Sequence, residues 1–341
     1  MAKSSPDGGD AATYGRGIEM IRIALDAMGG DHAPGEIVKG AAEALWQQSL
    51  ELVLVGHGDA VRRELKKYSY NSKISLFEAS EAITMEENPI SAIRQKEDSS
   101  IVVGMNLLKS GSVSAFVSAG NTGAIITAAQ LMLGTQEDIE RPALSIALPT
   151  PSGPVLFLDV GANADCRANH LLCFAKMGSA YMSRAFGMQN PRVGLLSIGE
   201  EASKGNKLVR EAHQLLLESE LNFIGNVESS SIPKGIADVV VTDGFTGNVV
   251  IKLSEGLGEF FINISQQGAT DSLYHKATSF LLKPSLRAVE HKLLDYSGHG
   301  VAFLLGVKGN VIKAHGRSES HGISKAIAVA KQVAEQEAYY G

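Results

Sequence analysis

Residues 21–35 read IRIALDAMGGDHAPG. An apolar run stops at Asp26 and is followed at once by Gly29, Gly30, Asp31 and His32. Two carboxylates and an imidazole at a strand tip fit either a tight turn or a grip on a charged ligand. Two later stretches resemble each other. SAGNTGAII (118–126) holds Asn121, Thr122 and Gly123, and TDGFTGNVV (242–250) holds Asp243, Gly244, Thr246, Gly247 and Asn248. Both carry Gly-x-Thr-Gly-x and then two β-branched residues, after an apolar run. The shared pattern predicts matching turns, with Gly for positive φ, Thr as hydroxyl donor or cap, and then a helix start that favours anions. Each could equally be an ordinary strand-to-helix turn. A third segment, VIKAHGRSES (311–320), places Lys313, His315, Gly316 and Arg317 after a further apolar run. It reads as another polar wall or as a solvated loop.

Other chemistries find little support. Cys166, His170 and Cys173 lie close together in DCRANHLLC. A structural zinc wants four ligands, and no partner spacing is evident, so a helix with core cysteines and a first-turn His is expected. There is no Gly-x-Ser-x-Gly elbow, no phosphate loop of the Gly-x-x-x-x-Gly-Lys type, and no Gly-x-Gly-x-x-Gly after a strand. Metal chemistry is weakly supported, and the expectation is a reaction with no covalent enzyme intermediate.

The elements that must position these residues are short apolar runs ending in Gly, Asp or Asn. They include ELVLVGHGD, KISLFEAS, PVLFLDVGAN, RVGLLSIGE, NFIGNVE and ADVVVTDGFTGN. Helix-like stretches such as 35–48 and 170–186 alternate with them. Strands apolar on both faces, alternating with helices, predict a mostly parallel sheet covered on both sides. PALSIALPTPSGPVLFLDV (142–160) predicts one antiparallel hairpin within it. Residues 1–20 are polar and Gly-rich and are expected to be a disordered leader or tag. Residues 21–341 are then read as a single α/β domain.

The 341-residue chain is 44% hydrophobic, enough for a large core, and its net charge of −6 argues against a broad nucleic-acid footprint. Two cysteines argue against a disulfide framework and for a reducing cytoplasm. No apolar run approaches the roughly 20 residues of a membrane span.

The segments IALDAMGGDHAP, SAGNTGA, RPAL, LDVGAN, PRVGLLSIGEE, KGN, NFIGNVE, ADVVVTDGFTGN and KAHGRS fall in the order found in the bacterial phosphate acyltransferases of phospholipid synthesis. The resemblance spans 21–335. It implies a three-layer α/β/α sandwich like that of isocitrate and isopropylmalate dehydrogenases, and a homodimer. It also implies the reaction of acyl-[acyl carrier protein] with inorganic phosphate to give acyl phosphate, with no metal and no cofactor.

That reaction sets demands on the site. Phosphate is already an anion and a thiolate leaves readily, so the barrier lies in bringing an anion to a carbonyl that becomes an oxyanion. On the resemblance, Lys204 in GEEASKGNK is expected to hold the phosphate, and the Asn248 amide to hold the carbonyl oxygen. Asp26, Gly30, Asp31 and His32 are expected to line the same cleft, with His32 as donor and Asp31 orienting it. Asn121, Thr122, Gly123, Asp243, Gly244, Thr246, Gly247, His315 and Gly316 complete the expected cradle.

Acyl carrier protein is acidic in this family, so a net-acidic chain needs a local basic surface. A projecting helical hairpin near 265–294 is expected to supply it. Lys283, Arg287 and His291 there fall at successive i, i+4 positions. Its apolar tip is expected to touch the inner face of the membrane, where the product passes to a membrane glycerol-3-phosphate acyltransferase. The rival readings are a phosphate acetyltransferase-like enzyme using acyl-CoA and a non-catalytic lipid-binding protein.

Overall fold

The computed structural model describes residues 20–68, 73–267 and 301–340. The expected leader, but for Met20, and the expected hairpin, but for residues 265–267, lie outside the described residues, and Lys283, Arg287 and His291 with them.

The apolar runs form one 11-stranded sheet of order β3-β2-β1-β4-β11-β10-β5-β6-β9-β7-β8. In chain order the strands are β1 (Arg22–Asp26), β2 (Glu51–Gly56), β3 (Ile74–Glu78), β4 (Ala115–Ser118), β5 (Ala143–Thr150), β6 (Gly153–Leu158), β7 (Val193–Leu196), β8 (Phe223–Val227), β9 (Val239–Val241), β10 (Ala302–Leu305) and β11 (Asn310–Lys313). One half, β3-β2-β1-β4-β11, is parallel throughout. The other, β6-β9-β7-β8, is also parallel throughout. Antiparallel pairing of β11 with β10, β10 with β5, and β5 with β6 joins them. The expected β5–β6 hairpin is present, and it belongs to the seam between the halves.

Helices cover both faces, giving three layers. They are α1 (Gly35–Gln47), α2 (Gly58–Leu65), α3 (Pro89–Gln95), α4 (Ser100–Lys109), α5 (Thr122–Ala128), α6 (Ala168–Phe186), α7 (Lys207–Leu217), α8 (Gly244–Gln267) and α9 (Ser320–Tyr340). Ile23, Leu25, Leu52 and Leu54 enter one core with Ile37 and Ala41 of α1, Phe174 of α6, and Ile323 and Ile327 of α9. Ala24, Val53, Val55 and Phe116 enter the other with Ile101 and Met105 of α4 and Ile125 of α5. Alternate residues of one strand thus feed opposite faces, as period-two side-chain placement requires. His170 is spent on the start of α6, where its Nδ1 accepts from the Arg167 N–H in a capping box.

Candidate active site

A cleft of about 450 Å³ opens over the seam. Leu144 and Ile146 of β5, Ala302 of β10 and Val160 beyond β6 line it and are all buried. Asp31, Met85, Thr122 and the segment from His315 to Arg317 close it on the β1–β4–β11 side, with Lys313 at the end of β11. Helix α8 closes it on the other side with Asn248, Ile251, Lys252 and Glu255. Those four are spaced i, i+3, i+4 and i+7, one face of a helix. The cleft thus combines an apolar base with a polar rim. Lys252, Lys313 and Arg317 face two carboxylates there, Asp31 and Glu255, which leaves a net positive site for an anion.

Two buried aspartates fix the loops around it. On the β1 side Asp26 is 1% exposed and accepts from the Ser118 hydroxyl (2.6 Å) and the Met28 N–H (3.0 Å). Ser118 Oγ in turn accepts from the Gly120 N–H at 3.0 Å. Burial raises the Asp26 pKa, and hydrogen bonds from Ser100, Ser118, Met28 and Gly29 oppose the shift. Asp26 does not line the cleft. It sits beneath the loops after β1 and β4 and ties them together.

On the β6 side Asp159 is fully buried and accepts from the N–H groups of Leu144, Gly161, Ala162 and Asn163 and from the Asn163 amide. Burial raises its pKa too, against those bonds. The loop it shapes receives the start of α8: the Gly244 N–H donates to the Asn163 carbonyl at 2.8 Å, and the Asn248 amide donates to the Val160 carbonyl at 3.2 Å.

The two Gly-x-Thr-Gly turns correct the expectation of matching geometry. Gly120, Gly123, Gly244 and Gly247 all lack positive φ. They are small because something lies against them. A Cβ on Gly244 would stand 2.7 Å from the Asn163 carbonyl oxygen, and one on Gly247 would run into that of Asp159. The caps also differ. Asn121 caps α5 by accepting from the Ala124 N–H, whereas Asp243 accepts from the Thr246 N–H and the Thr246 hydroxyl within the first turn of α8. The shared motif is therefore shifted by two residues relative to the helix start.

Other expected site residues divide accordingly. Asn248, Asp31, Thr122, His315 and Gly316 line the cleft. Gly30, with φ +102°, lets the Asp31 N–H reach the Gly316 carbonyl at 2.8 Å, which clasps two cleft loops together. Asn121 is buried and turned away; its amide donates to the carbonyls of Thr84, Met85 and Glu87. Gly123 is spent on contact with Pro89 of α3. Asp243, Gly244, Thr246 and Gly247 build the start of α8 rather than touching the cleft. His32 and Asp31 are both exposed, and among the described residues no hydrogen bond joins their side chains, so the expected donor–orienter pair is not formed. Lys204 is exposed in the loop after β7 and does not line this cleft. The reason is sheet order: β7 lies two strands from β6, about 10 Å across the sheet.

The cations that do line the cleft are Lys313, Lys252 and Arg317. Lys313 was visible in its motif but given no role, and Lys252 was missed, its only signal being a position one helical turn after Asn248. Lys313 is 8% exposed, and burial followed by the charge of Lys252 pushes its pKa down to about 8, against Asp26, Asp31 and Glu255. Burial also lowers the His315 pKa, only partly offset by Glu255. His315 Nδ1 accepts from the Arg317 N–H at 3.2 Å, so the neutral ring carries its proton on Nε2 and can donate there.

A mixed α/β protein with a cationic cleft at the junction of two half-sheets is the class this geometry defines. Solved structures share the fold: a phosphotransacetylase from Streptococcus pyogenes (TM-score 0.61, 18% identity, 93% of this chain and 94% of that one) and a 4-hydroxythreonine-4-phosphate dehydrogenase from Klebsiella pneumoniae (0.53, 15%, 92% and 98%). The family described as "Fatty acid synthesis protein" matches residues 21–339. A phosphate acyltransferase of Dictyoglomus turgidum is 48% identical over 320 residues, covering 93% of this chain and 95% of that protein. One of Desulfitobacterium hafniense strain Y51 is 46% identical over 317 residues, covering 93% and 94%. The chain belongs to this family, the phosphate acyltransferases, and is an acyltransferase.

Proposed function

We propose that the protein transfers a fatty acyl group from acyl-[acyl carrier protein] to inorganic phosphate, giving acyl phosphate for phospholipid synthesis. The observation that carries this reading is the cleft itself, with an apolar base for the acyl end and Lys252, Lys313 and Arg317 around a place for phosphate. Asn248 stands across from Lys313 as a neutral donor for the thioester oxygen as it becomes an oxyanion. The Nε2–H of His315 adds a second neutral donor. In this reading Lys313, Lys252 and Arg317, the cations that line the cleft, grip the phosphate.

The reading includes a homodimer. It is supported by an exposed apolar stripe on α8, Phe245, Val249, Leu253 and Leu257, at i, i+4 spacing beside the cleft-facing residues. It also includes a peripheral place at the inner face of the membrane and hand-over of the product to a membrane acyltransferase. No helix among the described residues is long and apolar enough to cross a membrane, so contact there is by surface.

The test is to incubate the protein with phosphate and a hexadecanoyl thioester of acyl carrier protein or of CoA, and to trap the product with hydroxylamine. The expected result is hydroxamate formation that depends on phosphate, faster with the carrier protein. Faster transfer from CoA would favour the acetyltransferase-like reading. No phosphate-dependent product from either donor would overturn the proposal.

A further inference from the structure

Lys313 is the most buried cation of the cleft. It ends β11, beside Ser118 of β4 and Ala302 of β10 in the sheet register. Its ammonium donates to the Ala314 carbonyl, and two N–H bonds remain for the cleft. The other polar groups leave a gap in the chemistry. Phosphate must lose a proton and the departing sulfur must gain one. Lys252 and Arg317 are exposed, and Arg317 does not give up its proton in proteins. The Nδ1 of His315 is occupied by the Arg317 N–H. Asn248 has no proton to exchange.

We propose that Lys313 is the acid that protonates the thiolate as the carbon–sulfur bond breaks. The inference rests on the thioester and phosphate substrates proposed above. A phosphate oxygen forms the bond to the acyl carbon. The carbon–sulfur bond breaks, its electron pair stays on sulfur, and sulfur takes a proton from the Lys313 ammonium. The resulting amine recovers a proton from the remaining hydroxyl of the newly acylated phosphate. The products are acyl phosphate, free thiol and an ammonium ready for the next turnover.

The environment matches this task. A lysine at its ordinary 10.5 is a weaker acid than an alkyl thiol, whose pKa is ~8.5, so transfer from it to a thiolate would run uphill. At about 8 the transfer is nearly level, and most of the side chain is still charged at pH 7. Burial is the largest influence on this value, followed by Lys252 on α8, Asp26 beneath the β1 loop, Asp31 on that loop and Glu255 on α8; His315 and Arg317 line the same cleft from the following segment. Lys252 lowers the Lys313 pKa, and Glu255 raises it.

The experiment is the pH dependence of kcat at saturating phosphate with hexadecanoyl-[acyl carrier protein]. The wild type should lose kcat as pH rises through about 8. Lys252→Met should move that limb to higher pH, and Glu255→Gln should move it to lower pH. Lys313→Met should cost ~10²–10⁴-fold in kcat, the usual size of general acid catalysis, and should abolish the limb. The loss should shrink below about tenfold with a hexadecanoyl 4-nitrothiophenol ester, whose thiol needs no proton to leave. If Lys313→Met does not fold, the opposite shifts of the other two variants decide the matter. A limb confined to the phosphate KM, unmoved by either variant, or an equal penalty for both leaving groups, would overturn the proton-donor role. A wild type that makes no acyl phosphate would instead remove the substrate reading beneath it.

Discussion

Asp26 and Asp159 occupy like places in the two halves of the sheet. Each follows an apolar strand, each is buried, and each holds a loop beside the cleft. They differ in what they tie together. Asp159 accepts five hydrogen bonds from Leu144, Gly161, Ala162 and Asn163 and shapes a single loop. Asp26 accepts from Ser118 and Met28, with Ser100 and Gly29 also donating, and so bridges the loops after β1 and β4. The Asp159 loop is a socket into which the start of α8 locks. The Asp26 loops are clasped at the cleft through the Asp31 N–H and the Gly316 carbonyl. The lesson is one of division of labour: the Asp159 half presents Asn248 and Lys252, and the Asp26 half presents Lys313 and His315.

The largest effect expected from breaking that difference is at Asp159. Asp159→Asn turns an amide toward N–H donors and should cost about 3–5 kcal/mol of stability, read from denaturant melts with unchanged slope. Gly247→Ala comes next. Its methyl would meet the Asp159 carbonyl, so α8 must move, at about 1–3 kcal/mol. Activity should fall further than stability, because Asn248 and Lys252 move with the helix.

The caps sharpen the comparison at a smaller scale. Asp243→Ala should cost about 1 kcal/mol, an ordinary cap loss. Asn121→Ala should cost more, about 2 kcal/mol, because three carbonyls also lose their donor. Equal melts for the two variants would contradict the assignment of Asn121 to loop anchoring.

At Asp26 the informative quantity is the sign of the effect with pH. Its folded pKa is raised above 3.8, so its contribution is fully present below that value and is lost as pH rises through the folded pKa. Asp26→Asn removes this dependence. The stability of the variant relative to wild type should therefore increase with pH across that window. A difference that falls as pH rises would contradict the burial argument.

Most strands were legible in the sequence, because apolar runs stopped by Gly, Asp or Asn mark them without knowledge of their neighbours. The β5–β6 hairpin was legible from Pro149, Pro151, Gly153 and Pro154. The reason for the motif glycines was not. Positive φ and close approach select the same residue, and only the position of the Asp159 loop shows which one applies. That Lys204 does not line this cleft and that Lys252 does were not legible for a related reason. Which strand ends share a cleft depends on sheet order, and sheet order is not written in any one segment. Asn248 was recoverable through the motif it closes.

The central claim is that the seam cleft is where thioester and phosphate meet, with Asn248 holding the oxyanion. The most direct measurement is the rate of acyl phosphate formation by Asn248→Ala with hexadecanoyl-[acyl carrier protein] and phosphate, on protein shown to melt like the wild type. A lost oxyanion donor predicts a fall of about 10²–10³-fold in kcat with little change in the phosphate KM. A folded Asn248→Ala protein that keeps the wild-type rate would contradict it.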